Sequence, residues 1–111
     1  MEKDSAPDVD VKVVEVTDHL RGSTLDTFQD DLSRLMEAGH VRVVIDMVDF
    51  DHADSAGLGY LVKLQAELGS RGGSCAIARP NAEFRRLINI TGLDMILPVF
   101  DSIDAAIDHL S

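Results

Sequence analysis

Several things are scarce in this chain, and each scarcity excludes a class of function. There is one cysteine, Cys75, so no internal disulfide can form; flanked by Ser74, Ala76 and Ile77, it reads as a strand residue rather than a redox centre. Basic residues are outnumbered two to one, 10 Lys and Arg against 20 Asp and Glu, giving a net charge of -10. That excess repels phosphate backbones, so neither nucleic acid nor an anionic membrane is expected as a partner, and a protein surface carrying basic residues is. No apolar run approaches the roughly 18 residues of a membrane span, and the start "MEKDSAPD" lacks the basic and apolar regions of a signal peptide, which leads to the expectation of a cytoplasmic protein. Low-complexity tracts are absent as well.

What is present is an ordinary globular composition, 45% hydrophobic and 27% charged over 111 residues, long enough for one core without metals or cross-links. Residues 1–10 form a polar leader, expected to be flexible, and residues 11–110 the folded domain. "VKVVEV" from Val11 is rich in β-branched residues and predicts a strand. In "GSTLDTFQDDLSRLME" the period switches: Leu25, Phe28, Leu32, Leu35 and Met36 fall on one helical stripe, Ser23 or Thr24 can cap the first turn, Asp26 suits the helix dipole, and Gly39 is a natural stop. "HVRVVIDMV" predicts a strand covered on both faces.

A second helix is expected from near Ser55, with Leu58, Leu61, Val62, Leu64 and Leu68 on its apolar face and Lys63, Gln65 and Glu67 in water. "GSRGGS" predicts a turn and "CAIA" a strand; Pro80-Asn81 opens a helix with Phe84, Leu87 and Ile88 inward. "MILPVF" predicts a last strand, at an edge or starting at Pro98, and Ser102 can cap a final helix carrying Ile103, Ala106, Ile107 and Leu110. Alternating strands and helices imply an α/β fold, a mostly parallel central sheet of four or five strands packed with about four helices.

The segment "DFDHADSAGLGYL", Asp49 to Leu61, concentrates the polar chemistry, yet no enzyme motif fits it. A nucleophile elbow needs glycine two positions either side of Ser55, and Ala53 stands on one side. A calcium loop starting at Asp49 would place Ala53, Asp54 and Tyr60 where a ligand, a glycine and a glutamate are required. The histidines His19, His40, His52 and His109 show no paired spacing for zinc, "GLG" and "GG" are too short for a phosphate loop, and no cofactor is expected. Ser55 falls where a strand and its loop hand over to a helix. Either Asp54 or Ser55 simply caps that helix, or the hydroxyl is modified: a phosphate there would bring about -1.5 to -2 charges to a helix end that favours anions. Small neighbours Ala53, Ala56 and Gly57 leave room for another protein's active site to reach it.

"VVIDMVDFDHADSAGLGYLV" resembles the strand, loop and "DSSGLG" or "DSTGLG" helix start of STAS domains in bacterial anti-sigma-factor antagonists, and "GGSCAIARPNAEFRRLINITGLDMILPVFDSIDAAIDHL" is similar to their glycine turn, strand, proline-started helix, "TGL" turn and closing helix. The likeness covers residues 11–110. It implies a STAS-like fold and a non-enzymatic switch: the partner, at once anti-sigma factor and serine kinase, phosphorylates Ser55, the unmodified protein binds it and releases a sigma factor, and a metal-dependent serine phosphatase resets the cycle. ATP and magnesium would belong to the kinase. The partner-binding surface implied is Arg21, Ser23, Thr24, Asp51, His52, Asp54, Ser55, Ala56, Gly57 and Leu58, with Asp54 shaping the loop, Gly57 and Gly59 permitting close approach, and the free protein a monomer or weak dimer.

The sequence departs from that family at His52, where an aromatic or aliphatic residue is usual, at Ala53, usually larger and apolar, and at Ala56, usually a second hydroxyl. "DHLR", Asp18 to Arg21, replaces "GELD", so Arg21 stands for an acid near the partner surface, and the strand usual before "VKVVEV" is short or missing. These departures bear on the partner more than on the fold. An alternative is a STAS scaffold module binding its partner without a phosphoswitch; a third is a small-molecule or nucleotide binder in the same fold.

Overall fold

A computed structural model describes residues 11–16, 18–20, 22–48, 50–53 and 55–111, with side chains outside 17–24 and 49–56. The leader at 1–10 lies outside the described residues. In chain order the elements are β1 (Val11–Glu15), β2 (Asp18–Leu20), α1 (Gly22–Glu37), β3 (Arg42–Asp46), β4 (Phe50–Ala53), α2 (Ser55–Ser70), β5 (Ser74–Ala78), α3 (Ala82–Thr91), β6 (Val99–Phe100) and α4 (Ile103–Leu110).

Four strands form a parallel sheet in the order β1-β3-β5-β6. Parallel neighbours need long crossovers, which α1, α2 and α3 supply. Because successive strand residues face opposite sides, Val43, Ile45, Cys75 and Ile77 join the core beneath those helices, with Leu25, Phe28, Leu32, Leu61, Leu64, Leu68, Phe84 and Ile88. Val44, Ala76 and Ala78 face the other way, onto Ala106 and Leu110 of α4. Both faces of β3 and β5 are therefore covered, and Val43, Val44, Ile45, Cys75, Ala76, Ile77 and Ala78 are fully buried. The expected α/β architecture with four helices holds.

Local signals end the helices where the sequence places them. Gly39 adopts φ 93 after α1 and Gly92 φ 75 after α3, left-handed conformations that glycine reaches without strain. Asn81 accepts the Phe84 N–H at 2.7 Å to cap α3, and Ser102 accepts the Ala105 N–H at 3.0 Å to cap α4.

Four expectations are corrected. The stretch that reads as loop after β3 contains β4, which pairs in parallel with β2 as a second, two-stranded sheet. The segment "MILPVF" yields only two strand residues, because Leu93–Met95 wind into a 3-10 turn after Gly92 and Pro98, whose carbonyl accepts the Ile77 N–H, has no N–H of its own to donate, so paired residues begin at Val99. α1 already includes Gly22, so Ser23 and Thr24 sit inside its first turn rather than capping it. Gln65, expected in water, reaches the backbone of β5 with its amide: the Cys75 N–H donates to its Oε1 at 2.8 Å, and its Nε2 donates to the Cys75 carbonyl at 3.1 Å and the Ile96 carbonyl at 2.7 Å.

Candidate functional site

The described residues of the "DFDHADSAGLGYL" segment sit at one end of the parallel sheet. β3 ends at Asp46, β4 carries the chain on from Phe50 to Ala53, and Ser55 is the first residue of α2. The expected handover from extended chain to helix at Ser55 is thus observed in the backbone. The opening N–H groups of a helix lack intrahelical acceptors, so this end of α2 suits negative charge.

α2 is fixed in place by its apolar side. Leu61, Leu64 and Leu68 are fully buried, and Leu58, half-buried, packs against the same core. Gly57 is buried within the first turn, whereas Gly59 is exposed and has open space where a side chain would project, with no atom within 4 Å of a built Cβ. A glycine inside a helix costs about 1 kcal/mol relative to alanine. Among the described residues nothing requires it there.

Beside Gly59, a cleft of about 360 Å³ runs between α1 and α2, lined by Gln29, Ser33, Gly59, Tyr60, Lys63 and Glu67. The Tyr60 ring, which lines the cleft, meets Phe28 of α1 edge-on, with centroids 5.8 Å apart, and ties the two helices together. Burial, and then the charges of Glu67 and Cys75, push the Tyr60 phenol up to about 12. The Tyr60 phenol therefore stays protonated from neutral pH well into alkali.

Where β3 ends, Asp46 is almost completely buried, 4% exposed. A buried carboxylate demands compensation, and three bonds supply it: Arg79 Nε donates to Oδ1 at 3.0 Å, Arg79 Nη2 to Oδ2 at 2.6 Å, and the Val48 N–H to Oδ1 at 3.2 Å. Arg79 reaches back to Asp46 from a backbone with φ 56, the one non-glycine residue with positive φ among those described. A left-handed residue of this kind carries roughly 1–2 kcal/mol of strain. Pro80 narrows the choice further, because a residue that precedes proline is disfavoured in the right-handed helical region.

Of the residues expected to bind a partner, Gly57 and Leu58 are described in full. Asp51, His52, Ser55, Ala56, Ser23 and Thr24 are placed by backbone only, the first two in β4, the next two opening α2 and the last two in the first turn of α1. Arg21 and Asp54 lie outside the described residues. The pairing of β2 with β4 sets Leu20 opposite Ala53, which brings the chain just before α1 alongside the chain just before Ser55. Asp46 and Arg79 were not anticipated. A lone acid in the apolar run "VVIDMV" was the available signal, since a charge on a strand covered on both faces needs a partner. Among the described residues no cluster of His, Cys, Asp and Glu could hold a metal, and no helix is long and apolar enough to cross a membrane.

Comparison with known proteins gives a consistent family. Residues 2–106 match the model of the STAS domain. A Thermotoga neapolitana protein named among the anti-sigma factor antagonists is 29% identical over 75 residues, 68% of this chain and 66% of that protein, so the match spans just under two thirds of the relative's length. The crystal structure of a Thermotoga maritima protein bearing the same description superposes with a TM-score of 0.79 at 25% identity, covering 88% of this chain and 86% of the other. The Bacillus cell fate determinant SpoIIAA in its phosphorylated form shares the fold, with a TM-score of 0.69 at 18% identity and 89% of each chain covered.

Proposed function

This chain belongs to the STAS domain family, and from that premise we propose that it is an anti-sigma-factor antagonist switched by phosphorylation of Ser55. In its unmodified state it binds an anti-sigma factor that is also a serine kinase and so frees a sigma factor. Phosphate on Ser55 ends the complex, and a serine phosphatase restores the binding form. The chain is the substrate of this cycle, a cytoplasmic protein, monomeric or weakly dimeric when free, and the catalysts are its partners.

The observation that carries this reading is the position of Ser55 as the opening residue of α2, at the end of β4. Added charge is tolerated at a helix start, so modification need not unfold the domain. It does change the docked surface: a phosphate held between two proteins must be desolvated and paired, and a penalty of about 3 kcal/mol lowers occupancy more than a hundredfold. The open space over Gly59, one turn along the same helix, supports close approach by a partner's backbone. The net charge of -10 suits a basic docking surface. Existence of the same fold in a phosphorylated SpoIIAA supports the switch.

The test is incubation with the cognate kinase and ATP, followed by mass spectrometry of wild type and Ser55→Ala. One phosphate on Ser55 of the wild type and none on the variant is expected. Phosphate elsewhere, or none on either protein, removes the reading. Ser55→Asp should weaken kinase binding tenfold or more; unchanged affinity would assign the chain to scaffolding without a phosphoswitch.

A further inference from the structure

We propose that the Asp46–Arg79 pair is a latch that fixes the direction in which the chain leaves β3 for β4, and thereby the presentation of Ser55 to the kinase; Arg79 is a positioning residue for phosphotransfer. This rests on the function proposed above, but the latch itself has a readout independent of it.

Four bonds converge on Asp46, the last residue of β3, and a fifth holds Met47 beside it. On one side the Val16 N–H donates to the Asp46 carbonyl at 2.9 Å, and on the other the Met47 N–H donates to the Ala78 carbonyl at 2.9 Å. Between them the Asp46 carboxylate takes both guanidinium bonds of Arg79 and the Val48 N–H. Val16 leads into β2 and Val48 into β4, so both strands of the small sheet issue from this one clamp. Ser55 follows nine positions after Asp46, with β4 as the connection. A planar guanidinium held by two bonds sets an angle as well as a distance, which a single-point contact does not.

The backbone of Arg79 points to the same role. Its φ of 56 is a conformation that glycine adopts at no cost, and an arginine kept there is kept for its side chain. The Arg79 N–H also donates to the Phe100 carbonyl at 2.9 Å, so the strained residue is held from its backbone while its side chain turns back over β3. Asp46 lies two residues from Val44, on the sheet face covered by α4, whereas Ser55 opens the helix on the opposite face. The latch therefore acts through the strand and not by touching the hydroxyl.

Arg79→Gly relieves the φ strain and removes the whole side chain that holds Asp46, so the latch is read by where exchange quickens and not by the overall loss of stability. Amide hydrogen exchange on the whole protein should quicken tenfold or more at Val48 and across 50–53, with β5 unchanged. With the cognate kinase and ATP, kcat for Ser55 phosphorylation should fall tenfold or more while KM stays within about threefold. Arg79→Lys, which keeps charge but not the two-point contact, should lie between, and Asp46→Asn, which keeps the Val48 acceptor, should lower kcat in the same sense. Wild-type exchange at Val48 and 50–53 in Arg79→Gly overturns the latch. So does a lowered melting temperature with kcat and KM of the folded protein intact, the mark of a merely structural pair. A wild type that takes no phosphate overturns the proposed function instead, and the exchange result still decides the latch.

Discussion

The side-chain amide of Gln65 pairs with the backbone of Cys75 as a neighbouring strand would, accepting its N–H at 2.8 Å and donating to its carbonyl at 3.1 Å. The need arises from the sheet itself. On the β6 side, Ile77 donates to Pro98 and Arg79 to Phe100, but β6 is too short to reach Cys75, the next residue facing that way. Gln65 fills the gap and ties Ile96 to the same amide at 2.7 Å. Gln65→Leu should lose about 2 kcal/mol, roughly 1 kcal/mol for each of the two bonds to buried Cys75, since Ile96 is exposed and its carbonyl can turn to water; for a domain of this size that is about 8 °C in melting temperature. Gln65→Glu keeps the acceptor, loses both donated bonds, and should lose at least as much. Urea titration of the two variants checks both, and wild-type midpoints would remove the strand-substitute role.

A steric prediction concerns the turn into β5. A Cβ on Gly73 would stand 1.9 Å from the Val41 carbonyl oxygen, the same oxygen that accepts the Ser74 N–H at 2.9 Å. Backbone cannot yield as a flexible side chain can. Gly73→Ala should therefore push β5 off the start of β3 and cost about 3 kcal/mol, a large part of the stability of a small domain. Thermal unfolding by circular dichroism measures this, and a loss under about 1 kcal/mol would show that the turn relaxes freely.

Stability should also decline in alkali, with a sign that can be worked out. Burial pushes the Cys75 thiol from about 9 up to about 12, and burial with the Glu67 and Cys75 charges pushes the Tyr60 phenol from about 10 up to about 12. Between those values the native state holds protons that the unfolded chain has released, so raising the pH favours unfolding. The contribution of both groups is complete below about pH 9 and drains away as pH climbs toward 12. Cys75→Ala and Tyr60→Phe should each flatten the fall in urea midpoint above pH 9 relative to wild type. Equal slopes in all three proteins would contradict the assignment. The native thiol should likewise resist a thiol-specific disulfide reagent at about pH 8.

The legible parts of this fold are those whose cause is local. Ser102 and Asn81 cap helices because their oxygens reach an N–H three residues on, and Gly39 ends α1 because glycine takes a φ of 93 without strain. The start of α2 at Ser55 was legible for the same reason: small residues and an acid give way there to a helical apolar period. Causes that lie across the molecule were hidden. β2 and β4 are three and four residues long and polar in part, and only their mutual pairing makes them strands. Gln65 looks solvated until β6 proves too short, and Arg79 looks like a loop residue until the carboxylate of Asp46, 33 positions away, is placed beside it.

Gly59 offers the sharpest separation between what the fold needs and what a partner needs. It stands in the first half of a 16-residue helix, exposed, with no atom within 4 Å of a Cβ built on it. Alanine fits that space and suits a helix better, so Gly59→Ala should raise stability by about 1 kcal/mol. The same methyl group projects from the helix that Ser55 opens, where the kinase is proposed to dock. Affinity for the unphosphorylated chain should therefore fall tenfold or more in a protein that is more stable than wild type, a combination that damage to the fold cannot produce. Calorimetric titration against the kinase, beside a melting curve, reads both. Unaltered affinity in the stabilised variant would mean that the partner does not approach α2 at Gly59 and that the docking surface lies elsewhere.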